Sequence, residues 1–321
     1  MKSMNSADKK NGYYKEAEND VDEEISIRYR LRKKGIEDME ITNLRRGNRK
    51  MKNEMVLEES MRSTEMSKGH EKRLVFIVGG KGGVGKTLFC RTLYFWLNHK
   101  GASVMGLDAD RENPEFFNYH AGVKEEVSIA ALDILETQFA KRFFTLLAEG
   151  NSNVVLVDMP GASSRGMREQ FKKFDAIEVA NELGYRVTMV SVLNTGKSMI
   201  TSIDNMLSYC ETRVDYVIVK NDYFLQSGDT FSSWENSVVR QAFVEMKANH
   251  IEINLPALEP SSFEYLQKNQ LSFFEIDQLD LGEFLLVRSF LKRAEQQIRR
   301  AGNLLGYDWC EKLDADIEMK F

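Results

Sequence analysis

Leu74-Val75-Phe76-Ile77-Val78-Gly79-Gly80-Lys81-Gly82-Gly83-Val84-Gly85-Lys86-Thr87 is the stretch that decides the fold of this chain. Its apolar run is mostly β-branched or aromatic and reads as a strand buried on both faces of a parallel sheet. A glycine-rich loop follows, and then a helical pattern opens with Leu88-Phe89-Cys90-Arg91-Thr92-Leu93. Gly80, Gly85, Lys86 and Thr87 satisfy the pattern G-x-x-x-x-G-K-[ST], a phosphate-binding loop. The residue types follow from the chemistry. Glycines let consecutive N–H groups curl around one anion, and the helix N-terminus adds its positive dipole end. Lys86 can then reach the outer phosphates while the Thr87 hydroxyl ligates Mg²⁺. A glycine-rich turn matching by chance is the plainer alternative. The strand before it and the amphipathic helix after it speak against that.

Outward from the loop, strand and helix patterns alternate. Strands are predicted at 74–78, 103–107, 153–157, 186–192, 216–219 and 251–255. Helices are predicted at 87–97, 138–148, 165–183, 197–211 and 234–248. This alternation predicts an α/β fold: right-handed βαβ crossovers, a mainly parallel twisted sheet and helices on both faces. Ligands of such sheets sit beyond the carboxyl ends of the strands. The candidate motifs fall there. Leu107-Asp108-Ala109-Asp110 places two carboxylates at alternate positions, able to hold Mg²⁺ through water or to orient an attacking water. Asn153-Val154-Val155-Leu156-Val157-Asp158-Met159-Pro160-Gly161 ends a strand in a second metal anchor, Asp158, and Gly161 could offer its N–H to a phosphate. Asn221, after 216–219, carries a donor and an acceptor suited to adenine; the surrounding residues are not the N-K-x-D of guanine readers. Pro256 follows the last strand, where backbone could pack beside a base. Asn194-Thr195-Gly196-Lys197 resembles a second phosphate loop only faintly and reads better as a helix start.

The formal net charge of −5 argues against a protein that coats nucleic acid generally, though a local basic face remains open. The three cysteines, Cys90, Cys210 and Cys310, lie far apart. No C-x-x-C pair exists, which disfavours a zinc or iron–sulfur site and suits a reducing cytosol. No apolar run reaches membrane-spanning length, and the polar start does not read as a signal peptide. Residues 1–71 differ from the rest. Lys, Arg, Glu, Asp, Asn and Ser dominate, and such a segment is expected to stay disordered because it cannot bury enough apolar surface. It reads as a solvated tail, or as an arm that touches a partner or nucleic acid through 28–34 and 45–50. The remainder, 72–321, reads as one domain.

Its last feature is a helical segment at about 281–306. Phe284, Val287, Leu291, Ala294, Ile298, Ala301 and Leu305 repeat at helical spacing and would pack on the domain. The other face carries Arg288, Lys292, Arg293, Arg299 and Arg300, either a solvated face or a surface for non-specific contact with DNA phosphates. Residues 311–321 are acidic and make a poor anchor for an anionic membrane.

Together these motifs resemble the ParA/MinD family of P-loop ATPases, whose deviant phosphate loop carries a second, signature lysine. Lys81 stands at that position in Lys81-Gly82-Gly83-Val84-Gly85-Lys86-Thr87. Asp108-Ala109-Asp110 falls at the family's first switch, and Asp158-Met159-Pro160-Gly161 at its second; the likeness spans about 72–260. The resemblance implies ATP and Mg²⁺ as ligands. Gly80, Lys81, Gly82, Gly83, Val84, Gly85, Lys86, Thr87, Leu88, Asn221 and Pro256 would contact the nucleotide, and Thr87 with Asp158, partly through water, the metal. Lys81, Lys86 and Asp110 would be catalytic, Asp110 on the attacking water and Lys81 on the phosphates of the partner subunit. It further implies an ATP-dependent homodimer, a stimulating partner protein, slow hydrolysis and a cytoplasmic location, at the nucleoid if DNA is bound.

Two departures from the family pattern matter. Leu88 replaces the usual second hydroxyl residue, and no terminal amphipathic membrane anchor is evident. The expectation is therefore a switch ATPase that positions, segregates or mobilises DNA or another large cargo, as plasmid partition and mobilisation proteins do. Alternatives on the same fold are a dethiobiotin- or cobyrinate-synthase-like ligase, a metal-cluster carrier, or a nucleotide-gated adaptor of a conjugation or secretion machine.

Overall fold

The computed structural model describes residues 71–321 except 81, 122, 124–127, 135, 137, 162–163, 226–228, 312–316 and 318–321. The expectations for the tail and for Lys81 lie outside the described residues.

The first strand sits where its sequence requires. β1 (Lys72–Val78) buries Leu74, Val75, Phe76 and Ile77 almost completely, because parallel neighbours and helices cover it on all sides. The chain continues through α1 (Lys86–His99), β2 (Val104–Asp108), α2 (Glu115–Asn118), β3 (Ile129–Ala131), α3 (Phe139–Glu149), β4 (Val154–Asp158), α4 (Ser164–Phe174) and α5 (Ala176–Glu182). Then come β5 (Tyr185–Leu193), α6 (Ser198–Cys210), β6 (Asp215–Asn221), α7 (Ser232–Glu235), α8 (Val238–Glu245), β7 (His250–Leu255), α9 (Pro260–Lys268) and α10 (Leu281–Ala301). The strands form one seven-stranded sheet in the order β3-β2-β4-β1-β5-β6-β7, with every pairing parallel. The sheet is flanked by helices on both faces.

Right-handed crossovers put α1 and α2 on one face, and α3 to α8 on the other. α10 packs on β7 and α1, closing the first face, and the Trp96 indole donates to the Leu291 carbonyl at 2.9 Å. β1 thus leaves the sheet towards the opposite face from both its neighbours, β4 and β5. That divergence opens a crevice at its carboxyl end, where the glycine loop lies.

At the amino-terminal rim the sheet is clamped by charge. Asp215 of β6 is fully buried and accepts from Arg73 of β1, from Arg186 of β5 at 2.8 Å and from Asn249 at 3.2 Å. Burial pushes its carboxyl upward, but the hydrogen bonds from Arg186 and Arg73 outweigh that and hold it below the usual value.

Three predicted elements change, and one strand is added. β3 is a short edge strand, half-buried, with too little alternation to announce itself. The helix predicted at 165–183 breaks at Asp175, which takes φ 49° between α4 and α5. That predicted at 234–248 divides into α7 and α8, where the Ser237 hydroxyl caps α8 by accepting from Arg240 N at 3.1 Å. The C-terminal helix stops at Ala301, and Gly302 (φ 52°) leads into 3₁₀ turns at Gly302–Leu305 and Tyr307–Trp309. Its predicted apolar stripe, Phe284 to Leu305, is buried throughout. Among the described residues no helix is long and apolar enough to cross a membrane.

Candidate functional site

The glycine loop owes its shape to two residues in the left-handed region, Gly83 (φ 75°) and Gly85 (φ 98°), a conformation costly for any other residue type. At Gly85 space also decides, since a Cβ would collide with the side-chain amide of Asn221. That amide donates from Nδ2 to the Val84 carbonyl at 2.9 Å, and its Oδ1 accepts from Tyr223 N at 3.2 Å. Asn221 therefore braces the loop from the end of β6, which leaves one amide N–H for a ligand. The occupation expected from the sequence was the base edge; the structure shows the loop taking most of the amide's capacity.

Lys86 opens α1 and is nearly buried. Burial lowers its pKa, while Asp158 and then Asp110 pull the other way. Asp158 ends β4, in register with Ile77 of β1 and Asp108 of β2. Burial pushes its carboxyl up to about 7; the hydrogen bond with the Thr87 hydroxyl opposes the rise and the charge of Asp108 adds to it. Its Oδ1 is buried with no hydrogen-bond partner among the described residues. Buried polar atoms are almost always satisfied, so an orphaned oxygen beside a threonine hydroxyl fits a hard divalent cation that takes oxygen ligands and keeps water.

The two carboxylates after β2 part ways. Asp108 is buried, and its oxygens accept from Asp110 N at 3.0 Å and Phe117 N at 2.9 Å. Burial raises its pKa to about 6 against those two bonds. Asp108 thus holds the turn instead of facing a ligand. Asp110 uses Oδ1 to accept from the N–H groups of Glu112 and Asn113, at 3.2 and 3.1 Å, and it lines the cavity in front of the loop.

That cavity has a volume of about 480 Å³. Gly82, Gly83, Gly85, Lys86, Thr87 and Leu88 form one wall, and Asp110 and Gly161 contribute beside them. Asn221, Tyr223, Phe224, Leu258 and Phe263 form another, and Arg91 with Tyr119 a third. Three expected contacts sit elsewhere. Gly80 backs onto α6, where a Cβ would fall 2.7 Å from Ser202 Cβ; the Val84 side chain is buried beneath the loop; and Pro256 is buried, with Leu258 reaching the cavity in its place.

Sequence reasoning missed Arg91, Tyr119, Phe224 and Phe263. Arg91 had a signal: a charged residue one helical turn after Thr87, inside an otherwise apolar run. The others come from the end of α2, the 3₁₀ turn after β6 and α9, whose approach to the loop no local pattern records.

The basic residues of α10 do not share one exposed face. Arg293, Arg299 and Arg300 are exposed, whereas Arg288 and Lys292 are half-buried. Cys90, Cys210 and Cys310 are buried free thiols, and among the described residues no cluster of His, Cys, Asp and Glu could hold a metal ion.

The family profile described as the CobQ/CobB/MinD/ParA nucleotide binding domain matches residues 75–224. MobD of Acidithiobacillus ferrooxidans is 22% identical over 176 residues, 54% of this chain and 74% of that protein. MinD of Aquifex aeolicus, in its complex with MinC, is 18% identical with a TM-score of 0.44, over 71% of this chain and 96% of its own. MinD of Pyrococcus horikoshii, complexed with Mg-ADP, is 16% identical with a TM-score of 0.43, over 72% and 98%.

Proposed function

Because residues 75–224 match the profile of the CobQ/CobB/MinD/ParA nucleotide binding domain, we propose that this chain is an ATP-dependent switch of the ParA/MinD type. It would dimerise around nucleotide and hydrolyse it slowly, positioning, segregating or mobilising DNA or another large cargo in the cytoplasm. Residues 1–71 would be an arm outside the ATPase domain.

The observation that carries this reading is the cluster of Lys86 and Thr87, which line the cavity, with Asp158, hydrogen-bonded to Thr87, whose Oδ1 has no hydrogen-bond partner among the described residues. Lys86 and the backbone N–H groups of the loop would hold phosphate oxygens. Thr87 and Asp158 would hold Mg²⁺, which when bound offsets the phosphate charge. Asp110 spends Oδ1 on its own turn and keeps Oδ2 to orient the attacking water. Tyr223, Phe224, Leu258 and Phe263 would take the base. No carboxylate stands among them to read guanine, and Asp222 next door accepts from Asn254 at 2.6 Å, which supports adenine. Lys81 would act on the phosphates bound by the partner subunit, a role that rests on the resemblance of its loop.

The test is ATPase activity and light scattering, with and without duplex DNA. ATP with Mg²⁺ is expected to drive dimerisation, and Lys81→Ala to abolish hydrolysis while nucleotide still binds. Full activity from a monomer that ignores ATP overturns the proposal. DNA binding is expected to be salt-sensitive and to weaken on charge reversal at the exposed Arg293, Arg299 and Arg300. Unchanged binding in that variant moves the DNA surface to another part of the chain.

A further inference from the structure

Arg91 is only 3% exposed, yet it belongs to the wall of the nucleotide cavity. Its guanidinium carbon lies 3.4 Å from the ring centroid of Tyr119 and 5.1 Å from that of Phe273. Nη2 donates to the Leu271 carbonyl at 2.9 Å. Nε is buried and has no acceptor, and no carboxylate among the described residues forms an ion pair with Arg91. Glu115 is the carboxylate that most favours its charge. A guanidinium has five N–H donors and keeps its charge in proteins, so this one is largely desolvated without its counter-ion. Burying an unpaired charge is among the costliest arrangements a fold can hold, and it persists where a ligand completes it.

Position identifies the ligand group. Arg91 stands one helical turn beyond Thr87 and three residues beyond Leu88, and all three line the same cavity. The N-terminus of α1, Lys86 and Asp158 already account for the outer phosphates and the metal in the reading above, on which this inference rests. Farther along the helix Leu88 offers the ligand an apolar side chain with no hydrogen-bonding group, and the next group able to neutralise an anion is Arg91. A ribose hydroxyl would satisfy a donor but leave the charge unpaired.

We propose that Arg91, held flat by Tyr119, binds the innermost phosphate of the nucleotide, making its affinity depend on a contact outside the glycine loop. A small carboxylate substrate in the same place is the competing occupant. Adenosine, which carries no phosphate, should not need this contact, whereas tripolyphosphate, whose third phosphate can reach the same place, should.

Binding is measured by calorimetry for ADP, AMP, adenosine and tripolyphosphate, each with Mg²⁺, on the full chain and on Arg91→Gln, Arg91→Lys and Tyr119→Leu. Charge-assisted bonds of this kind predict a loss of about 10- to 100-fold for ADP and AMP in Arg91→Gln. A smaller loss is expected in Arg91→Lys and Tyr119→Leu, a loss for tripolyphosphate as well in Arg91→Gln, and none for adenosine. Equal ADP affinity in wild type and Arg91→Gln overturns the inference while leaving the ATPase reading intact. A loss for adenosine as large as that for AMP assigns Arg91 to the sugar or base and also overturns it. A wild-type chain that binds no nucleotide overturns the ATPase reading itself, and this inference with it. A variant with a collapsed thermal transition is replaced by Arg91→Lys, whose preserved charge keeps the AMP-against-adenosine comparison decisive.

Discussion

At the rim where β1, β5 and β6 begin, Asp215 is fully buried and takes two arginines and an asparagine. At the opposite rim, where β1 and β4 end, Asp158 is nearly as deeply buried and has an oxygen with no hydrogen-bond partner among the described residues. Arg91, one turn into α1, is an equally buried cation with no ion pair among the described residues. The same sheet therefore completes its buried charges at one edge and leaves them incomplete at the other. Complete networks hold a fold together, whereas incomplete ones cost stability and are kept where a ligand supplies the missing half. The direction of the pKa shifts agrees. Asp215 lies below its usual value because its partners outweigh burial, and Asp158 lies above because burial dominates.

Four experiments would break or sharpen this contrast. The largest effect is expected at the paired rim. Asp215→Ala strands Arg73 and Arg186 and should destabilise the fold by about 3–5 kcal/mol, read as a lower urea midpoint. A loss under about 1 kcal/mol would mean that the clamp contributes little.

Next is acid sensitivity on the site side. Burial holds the His120 imidazole down to about 4, against 6.5 when exposed, in spite of its hydrogen bond with the Phe116 carbonyl. The unfolded chain therefore takes up a proton first as pH falls. Stability is lost from about pH 6.5 down to about 4, by about 3 kcal/mol in all, and the loss is complete below that. His120→Gln should flatten this part of the curve of urea midpoint against pH. An unchanged slope would place the acid weakness elsewhere.

Asn221→Ala removes the brace on the Val84 carbonyl and leaves it buried. The expected cost is about 1–3 kcal/mol in stability, together with weaker binding of nucleotide and tripolyphosphate alike. Binding at wild-type strength would show that the glycines hold the loop unaided.

The smallest effect has the opposite sign. Asp158→Asn removes a buried charge that Lys86 and the Thr87 hydroxyl offset only in part, so at pH 8 the metal-free fold should be stabilised by up to about 1 kcal/mol. The thermal shift that Mg²⁺ adds to nucleotide should vanish in the same variant. A clear destabilisation would mean that Asp158 is already paired, and the contrast between the rims would fail.

Much of the site was readable before any coordinates. The buried strand, the glycine spacing, Lys86, Thr87 and the acidic strand ends Asp110 and Asp158 are all local features; Lys86, Thr87 and Asp110 line the cavity, and Asp158 is hydrogen-bonded to Thr87. Local patterns misled where two backbone roles compete for one side chain. Asp108 and Asp110 look equivalent in sequence, but Asp108 is spent on the Asp110 and Phe117 N–H groups. Asn221 looked like a base reader because a strand-end asparagine carries the right groups. Only the approach of Val84, 137 residues away in sequence, shows where its amide is used. The broken helices follow the same rule, since Asp175 adopts a conformation that propensity alone would not assign it.

The sequence by itself determined the α/β class, the parallel central strand and the phosphate loop, because strand burial, helical period and glycine geometry are written in neighbouring residues. The tertiary structure alone decided which charges are complete. Whether Asp215, Asp158 or Arg91 has a partner depends on groups brought from distant elements, and burial in a low-dielectric interior turns that difference into stability at one rim and an open binding site at the other.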